Sequence, residues 1–184
     1  MNVSLMSLWL PIVVSAGVVF MASSAIWMLL KYHDSDWHKL PDEDAARAAL
    51  KGTEPGQYSV PNAASSADRK NPEWQEKYKE GPAAMLVVLP HGSLAMGKQM
   101  TQWIVYCLAI SLLVAYVVSI TVPAGADYMR VFRIAGTVAV LTYAGAAPIN
   151  AIWFGYRWSA TAKDVVDGMI YGLLTAGVFG WLWP

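Results

Sequence analysis

Thr101-Gln-Trp-Ile-Val-Tyr-Cys-Leu-Ala-Ile-Ser-Leu-Leu-Val-Ala-Tyr-Val-Val-Ser-Ile-Thr-Val122 is a run of 22 residues without a charged side chain. At about 1.5 Å per helical residue, such a run crosses the roughly 30 Å hydrocarbon core of a bilayer. Lys98 bounds it on one side, and the turn-rich Pro123-Ala-Gly-Ala-Asp127 bounds it on the other. It reads as a transmembrane helix, and the rest of the chain is read from it.

Upstream, no charge occurs from Met1 to Leu30, and residues 5–30 form a first span. A cleaved signal peptide with Ala22–Ala25 as its cleavage region is the competing reading. The n-region lacks Lys and Arg and the apolar stretch exceeds a usual h-region, which disfavours it. Downstream, residues 133–154 are uncharged after Arg133 and form a third span, with Pro148 predicting a kink near Ala147. A fourth span covers residues 165–184, uncharged from Gly168 onward. The fold class expected is an all-α membrane protein, a four-transmembrane-helix bundle with a small α+β cytoplasmic insertion between helices 1 and 2.

Composition agrees. Of the 184 residues, 56% are apolar and 14% charged, and the 13 Lys+Arg equal the 13 Asp+Glu, too apolar a balance for an ordinary soluble domain. Residues 31–82 hold 18 of those 26 charges, which leaves the remaining stretches free for lipid. Zero net charge without a basic stripe excludes a nucleic-acid binder working through a positive field. A single cysteine, Cys107, excludes an intrachain disulfide framework.

Basic residues set the expected orientation. Residues 31–98 and the loop 155–167 carry Lys31, Lys39, Arg47, Lys51, Arg69, Lys70, Lys77, Lys79, Lys98, Arg157 and Lys163, against Arg130 and Arg133 on the opposite face. Both termini are therefore expected outside, with the long loop in the cytoplasm. Trp9, Trp27, Trp103, Trp153, Trp158, Trp181 and Trp183 fall near span ends, where amphipathic rings anchor at headgroup level.

Within the fourth span, Gly168, Gly172, Ala176 and Gly180 recur every four residues, with Gly177 beside them. Such a strip lets a neighbouring backbone approach closely. Gly136, Ala139 and Ala144–Ala147 make the third span its expected partner, ahead of a second copy of the chain. No ionisable residue lies at the centre of any predicted span, which argues against an ion-coupled transporter.

The extramembrane segment 31–98 carries the punctuation of folded elements. Pro41-Asp-Glu-Asp44 opens a short helix to Leu50, and Asn71-Pro72-Glu73 opens a second that closes at Gly81-Pro82. Ala84-Met-Leu-Val-Val-Leu89, stopped by Pro90-His-Gly92, is either a strand pairing with the segment around Tyr58 on the membrane surface or an interfacial segment leading into the second span.

Several stretches together carry a resemblance: His33-Asp-Ser-Asp-Trp37, Lys39-Leu-Pro-Asp-Glu-Asp-Ala45, Pro55-Gly-Gln-Tyr58, Met96-Gly-Lys-Gln99 and the ending Asp167-Gly-Met-Ile-Tyr171 through Pro184. The chain resembles, over nearly its whole length, a group of small, uncharacterised bacterial multi-pass inner-membrane proteins. The resemblance implies a bacterial multi-pass protein and carries no activity, cofactor or catalytic residue.

Candidate chemistry is sparse. His33, Asp36 and His38, with Asp34 beside them and His91 from the apolar segment, are weak candidates for a zinc or iron site, because their spacing fits no metal signature. No cofactor is predicted, and no nucleophile elbow, phosphate loop or dinucleotide fingerprint occurs. The expected function is that of a non-catalytic accessory or structural subunit of a larger bacterial membrane complex, with the lipid bilayer and other membrane-protein subunits as partners. The alternatives are a small oligomeric carrier or channel and an interfacial enzyme using His33, Asp36, His38 and His91.

Overall fold

The computed structural model describes residues 3–92 and 96–184. The chain divides into two compact units, Met1–His38 with Ala95–Pro184, and Lys39–Leu94. It is mostly helical, with one small sheet.

In the first unit a 3-10 turn, Leu5–Leu8, leads into α1, Trp9–Leu29. Pro11 is tolerated in the first turn of α1 because its missing N–H belongs to a group without an intrahelical partner anyway. α5 spans Gly97–Thr121, with its end set by Val122-Pro123. Asp127 caps α6, Tyr128–Ala144, by accepting from the Arg130 backbone N–H at 3.1 Å. α8 runs from Trp158 to Trp181.

At the predicted kink the helical hydrogen bonding is interrupted, while the backbone stays right-handed helical through Gly145 and Ala146. α6 stops at Ala144, and α7, Ala147–Phe154, restarts with Pro148 in its second position. A proline ring clashes with the carbonyl four residues back, which here is that of Ala144. Three boundaries also move outward. α5 starts at Gly97 rather than at residue 101, α6 at Tyr128 rather than 133, and α8 at Trp158 rather than 165. Charged residues do not end these helices when they find partners or water beyond the apolar zone.

Three helices, Leu5–Leu29, Gly97–Thr121 and Tyr128–Phe154, are long and apolar enough to cross a membrane. α8 is of similar length and carries Lys163, Asp164 and Asp167 in its first half. The four long helices pack as a ring, α1 against α5 and α8, and α6 against α5 and α8. Buried positions on α5, namely Cys107, Ile110, Ser111, Val114, Ala115, Val118 and Ser119, follow the spacing of one helix face.

These helices enclose an apolar interior that includes a few hydroxyls, and they are apolar on the outside as well. α1 buries Ser15 and Ser23 and turns Val13, Met21 and Met28 outward. Ser15 and Ser111 hydroxyls meet at 3.0 Å, and Trp103 Nε1 donates to Ser23 Oγ at 2.7 Å, so hydroxyls join α1 to α5. Outward Val105, Leu112, Leu113, Ile120 and Leu141 extend the apolar exterior. An exterior of this kind is compatible with a membrane location.

α6 and α8 approach through the small-residue strip. A Cβ added at Gly168 would stand 2.8 Å from the Ala144 backbone, and one at Gly172 would stand 2.4 Å from Val140 Cγ2 and 2.8 Å from its N. At Gly180 it would meet the Tyr128 ring at 2.7 Å, and at Gly136 the Ala176 Cβ at 3.1 Å. Gly177 lies at the margin, with the Tyr128 hydroxyl 3.7 Å away. At that end of the ring, Trp183 Nε1 donates to Pro123 O at 3.0 Å and Gly125 N donates to Pro184 O at 2.8 Å.

The second unit is built from capped helices and one antiparallel strand pair. Asp42 caps α2, Glu43–Ala49. Ser65 and Asp68 form a capping box on α3, Ser66–Lys70, and Asn71 ends α3 and caps α4, Pro72–Glu80. β1, Gly56–Val60, pairs antiparallel with β2, Ala84–Val88, with Tyr58 opposite Leu86. The run at 84–88 is therefore a strand, and of residues 89–92 none belongs to it. No described residue from 39 to 92 is buried. The described residues of this unit have local order without an apolar core of their own.

Candidate functional site

The chain leaves α1 through Lys31, which holds a left-handed backbone at φ 52°. A non-glycine residue there costs roughly 1–2 kcal/mol. The turn it makes folds the 3-10 segment Tyr32–Asp36 back over the end of the ring, against the first half of α8.

His33 is buried, and its ring stacks on Trp27 with centroids 3.9 Å apart and planes 4° from parallel. Its Nδ1 lies 2.7 Å from Asp36 Oδ2, and its Nε2 lies 3.1 Å from Asp167 Oδ2. Carboxylate oxygens only accept, so a ring that satisfies both carboxylates donates from both nitrogens. The other oxygen of Asp167 accepts from the Tyr32 hydroxyl. Asp167 is itself buried, so an unpaired carboxylate there would be strongly disfavoured.

Lys163 completes the closure. Its ammonium donates to Tyr32 O at 2.6 Å, Ser35 Oγ at 2.8 Å and Asp36 Oδ1 at 2.6 Å, which uses all three of its N–H groups. The Lys163 hydrogen bond, followed by that of His33, holds the Asp36 carboxyl below its ordinary range despite opposing desolvation. Burial, and then the hydrogen bond to Asp167, pushes the Tyr32 phenol well above its ordinary range. Arg157 pairs with His38 and lies 3.4 Å from Ser35 O.

The sequence candidates are thus only partly united. His33 and Asp36 meet, but as a hydrogen-bonded pair whose remaining positions are filled by Asp167 and Lys163. Asp34 and His38 are exposed, and His91 belongs to the other unit. Among the described residues, no group of three or more His, Cys, Asp or Glu side chains is arranged to hold a metal ion. The sequence does not single out Tyr32, Lys163, Arg157 and Asp167 as site residues. Charges placed just before an apolar span were the only available signal, and it does not name a partner.

The tryptophans divide as well. Trp9, Trp153, Trp158 and Trp181 are exposed, Trp27 lies on His33, and Trp103 and Trp183 are tied by their indole N–H groups. Fold and site together define a mostly helical chain with three candidate membrane spans, closed at one end by a satisfied ionic cluster. Compared with protein-family models, curated proteins and solved structures, the chain matches none.

Proposed function

We propose that the chain is a non-catalytic integral membrane protein that crosses the bacterial inner membrane four times and serves as an accessory or structural subunit of a larger complex. The observation that carries this reading is the second unit, whose helices are capped and strands paired yet none of whose described residues is buried. A two-stranded sheet with no fully buried face is marginal in water, and a partner surface supplies what it lacks. Satisfaction of the His33, Asp36, Lys163 and Asp167 cluster supports a structural use of these charges. Their pairing with the 32–36 turn also lets α8 serve as the fourth span, because the charged half of α8 reaches the interface.

In this reading both termini lie outside and the long loop is cytoplasmic, as the basic residues favour. The carrier or channel reading has less support, since the buried His33 and Asp167 side chains are bonded to each other. The interfacial-enzyme reading has less support too, since the His33 ring bonds Asp36 and Asp167 while the exposed His38 pairs with Arg157. Gentle extraction of the tagged chain from native membranes, followed by native mass analysis, tests the proposal. Defined subunits at fixed stoichiometry are expected, and a chain recovered alone would contradict it.

A further inference from the structure

Beside the ionic cluster, within the first unit, lies a cavity of about 480 Å³. Aromatic rings make up much of its wall: Trp27, Trp103, Tyr106, Tyr143 and Tyr171. Those of Trp103, Tyr143 and Tyr171 meet edge-on or tilted, with centroids 5.7–6.5 Å apart. The ionisable carboxyl groups on the wall are Asp164 and Asp167, and no Lys, Arg or His lines it among the described residues.

The two carboxylates differ in what they lack. Asp167 is occupied by Tyr32 and His33. Asp164 makes no hydrogen bond or ion pair to any described residue and is only partly buried. Tyr171 is 5% exposed, yet its hydroxyl has no hydrogen-bond partner among the described residues, and the Tyr143 hydroxyl has none either. A buried, unpartnered hydroxyl carries a desolvation penalty that a ligand can relieve.

We infer that this cavity binds an ammonium group carried on an apolar body. The carboxylate of Asp164 supplies the charge, and the ring faces favour a cation. The Tyr143 and Tyr171 hydroxyl oxygens accept N–H hydrogen bonds, and Met28, Met100 and Trp103 contact the apolar part. An anionic amphiphile meets two carboxylates and no cation on the wall, and is rejected. The ammonium group comes either from a lipid headgroup of the surrounding bilayer or from a free lipophilic amine. This site is independent of the accessory-subunit reading, since it uses only the first unit.

The test uses the full chain in nanodiscs of phosphatidylglycerol, with binding read by tryptophan fluorescence and calorimetry. The probes are 2-phenylethylamine, its neutral counterpart 2-phenylethanol and the anion 3-phenylpropanoate. Saturable binding is expected for the amine alone. Asp164→Asn should weaken it about tenfold, the loss of one charge-assisted contact, and Tyr171→Phe should weaken it to a lesser degree. Asp164 holds nothing else in the fold, so the thermal midpoint of Asp164→Asn should stay at the wild-type value. Repeating the titration in phosphatidylethanolamine nanodiscs separates the sources: competition marks a lipid headgroup, and undiminished amine binding marks a free amine. Equal binding of all three probes, or amine binding unchanged in Asp164→Asn, would overturn the assignment.

Discussion

The Nε2 atom of His33 lies 3.1 Å from Oδ2 of Asp167, across 134 positions of sequence, with both side chains buried. This contact ties the turn after α1 to the first half of α8, and so closes one end of the helix ring. Asp167→Ala leaves the imidazole and the Tyr32 hydroxyl without their shared acceptor. Removing one member of a buried pair costs about 3–5 kcal/mol, which for a chain of this size lowers the thermal midpoint by roughly 6–20 °C. Circular dichroism melts in a fixed detergent check this, and Asp167→Asn, which retains an acceptor for Tyr32, should lose less.

The two histidines of the turn should behave differently. His33→Ala removes a stacked, doubly bonded ring and should destabilise strongly, whereas His38→Ala removes an exposed one and should stay within about 0.5 kcal/mol. Melting curves of the two variants decide the point. Elemental analysis after metal loading is expected to find no stoichiometric ion, since both ring nitrogens of His33 are engaged by carboxylates.

Acid should release the Lys163–Asp36 contact. The Asp36 carboxyl is held below its ordinary range in the fold, chiefly by Lys163. Its contribution is therefore present above the unfolded carboxylate pKa of about 4 and lost as pH falls through the depressed folded value. Wild type should melt above Lys163→Gln at pH 7, and the gap should shrink progressively below about pH 4. A gap independent of pH would show that Asp36 does not mediate the effect of Lys163.

Close approach of α6 and α8 predicts a contrast between neighbouring glycines. Gly172→Ala forces a Cβ to within 2.4 Å of the Val140 side chain and should cost about 1–3 kcal/mol through overpacking. Gly177→Ala meets nothing closer than 3.7 Å and gains helix propensity, so it should be neutral or mildly stabilising. Thermal midpoints of the two purified variants measure the difference.

Much of the architecture is legible along the chain because its signals are local. Apolar runs mark the candidate spans, Asn71-Pro72 marks the start of α4, and Pro148 marks the interruption between α6 and α7. α3 is not legible from periodicity, because its segment has no apolar repeat, although Ser65-Ser-Ala-Asp68 carries a capping box. Residues of the ionic cluster were half legible. His33 and Asp36 are neighbours in sequence, whereas Lys163 and Asp167 join them only through packing of α8 against the end of α1. The cavity was not legible at all, since its rings come from α1, α5, α6 and α8 and read one by one as interfacial aromatics or helix filler.

The central claim is that the second unit is completed by a partner. Amide hydrogen exchange over residues 56–60 and 84–88 tests it most directly, comparing the chain in its native assembly with the chain purified away from it. Exchange follows local opening, and a sheet with no fully buried face opens easily. The account predicts rapid exchange in the isolated chain and strong protection in the assembly. Equal protection in both states would contradict it, because the sheet would then be stable without any partner.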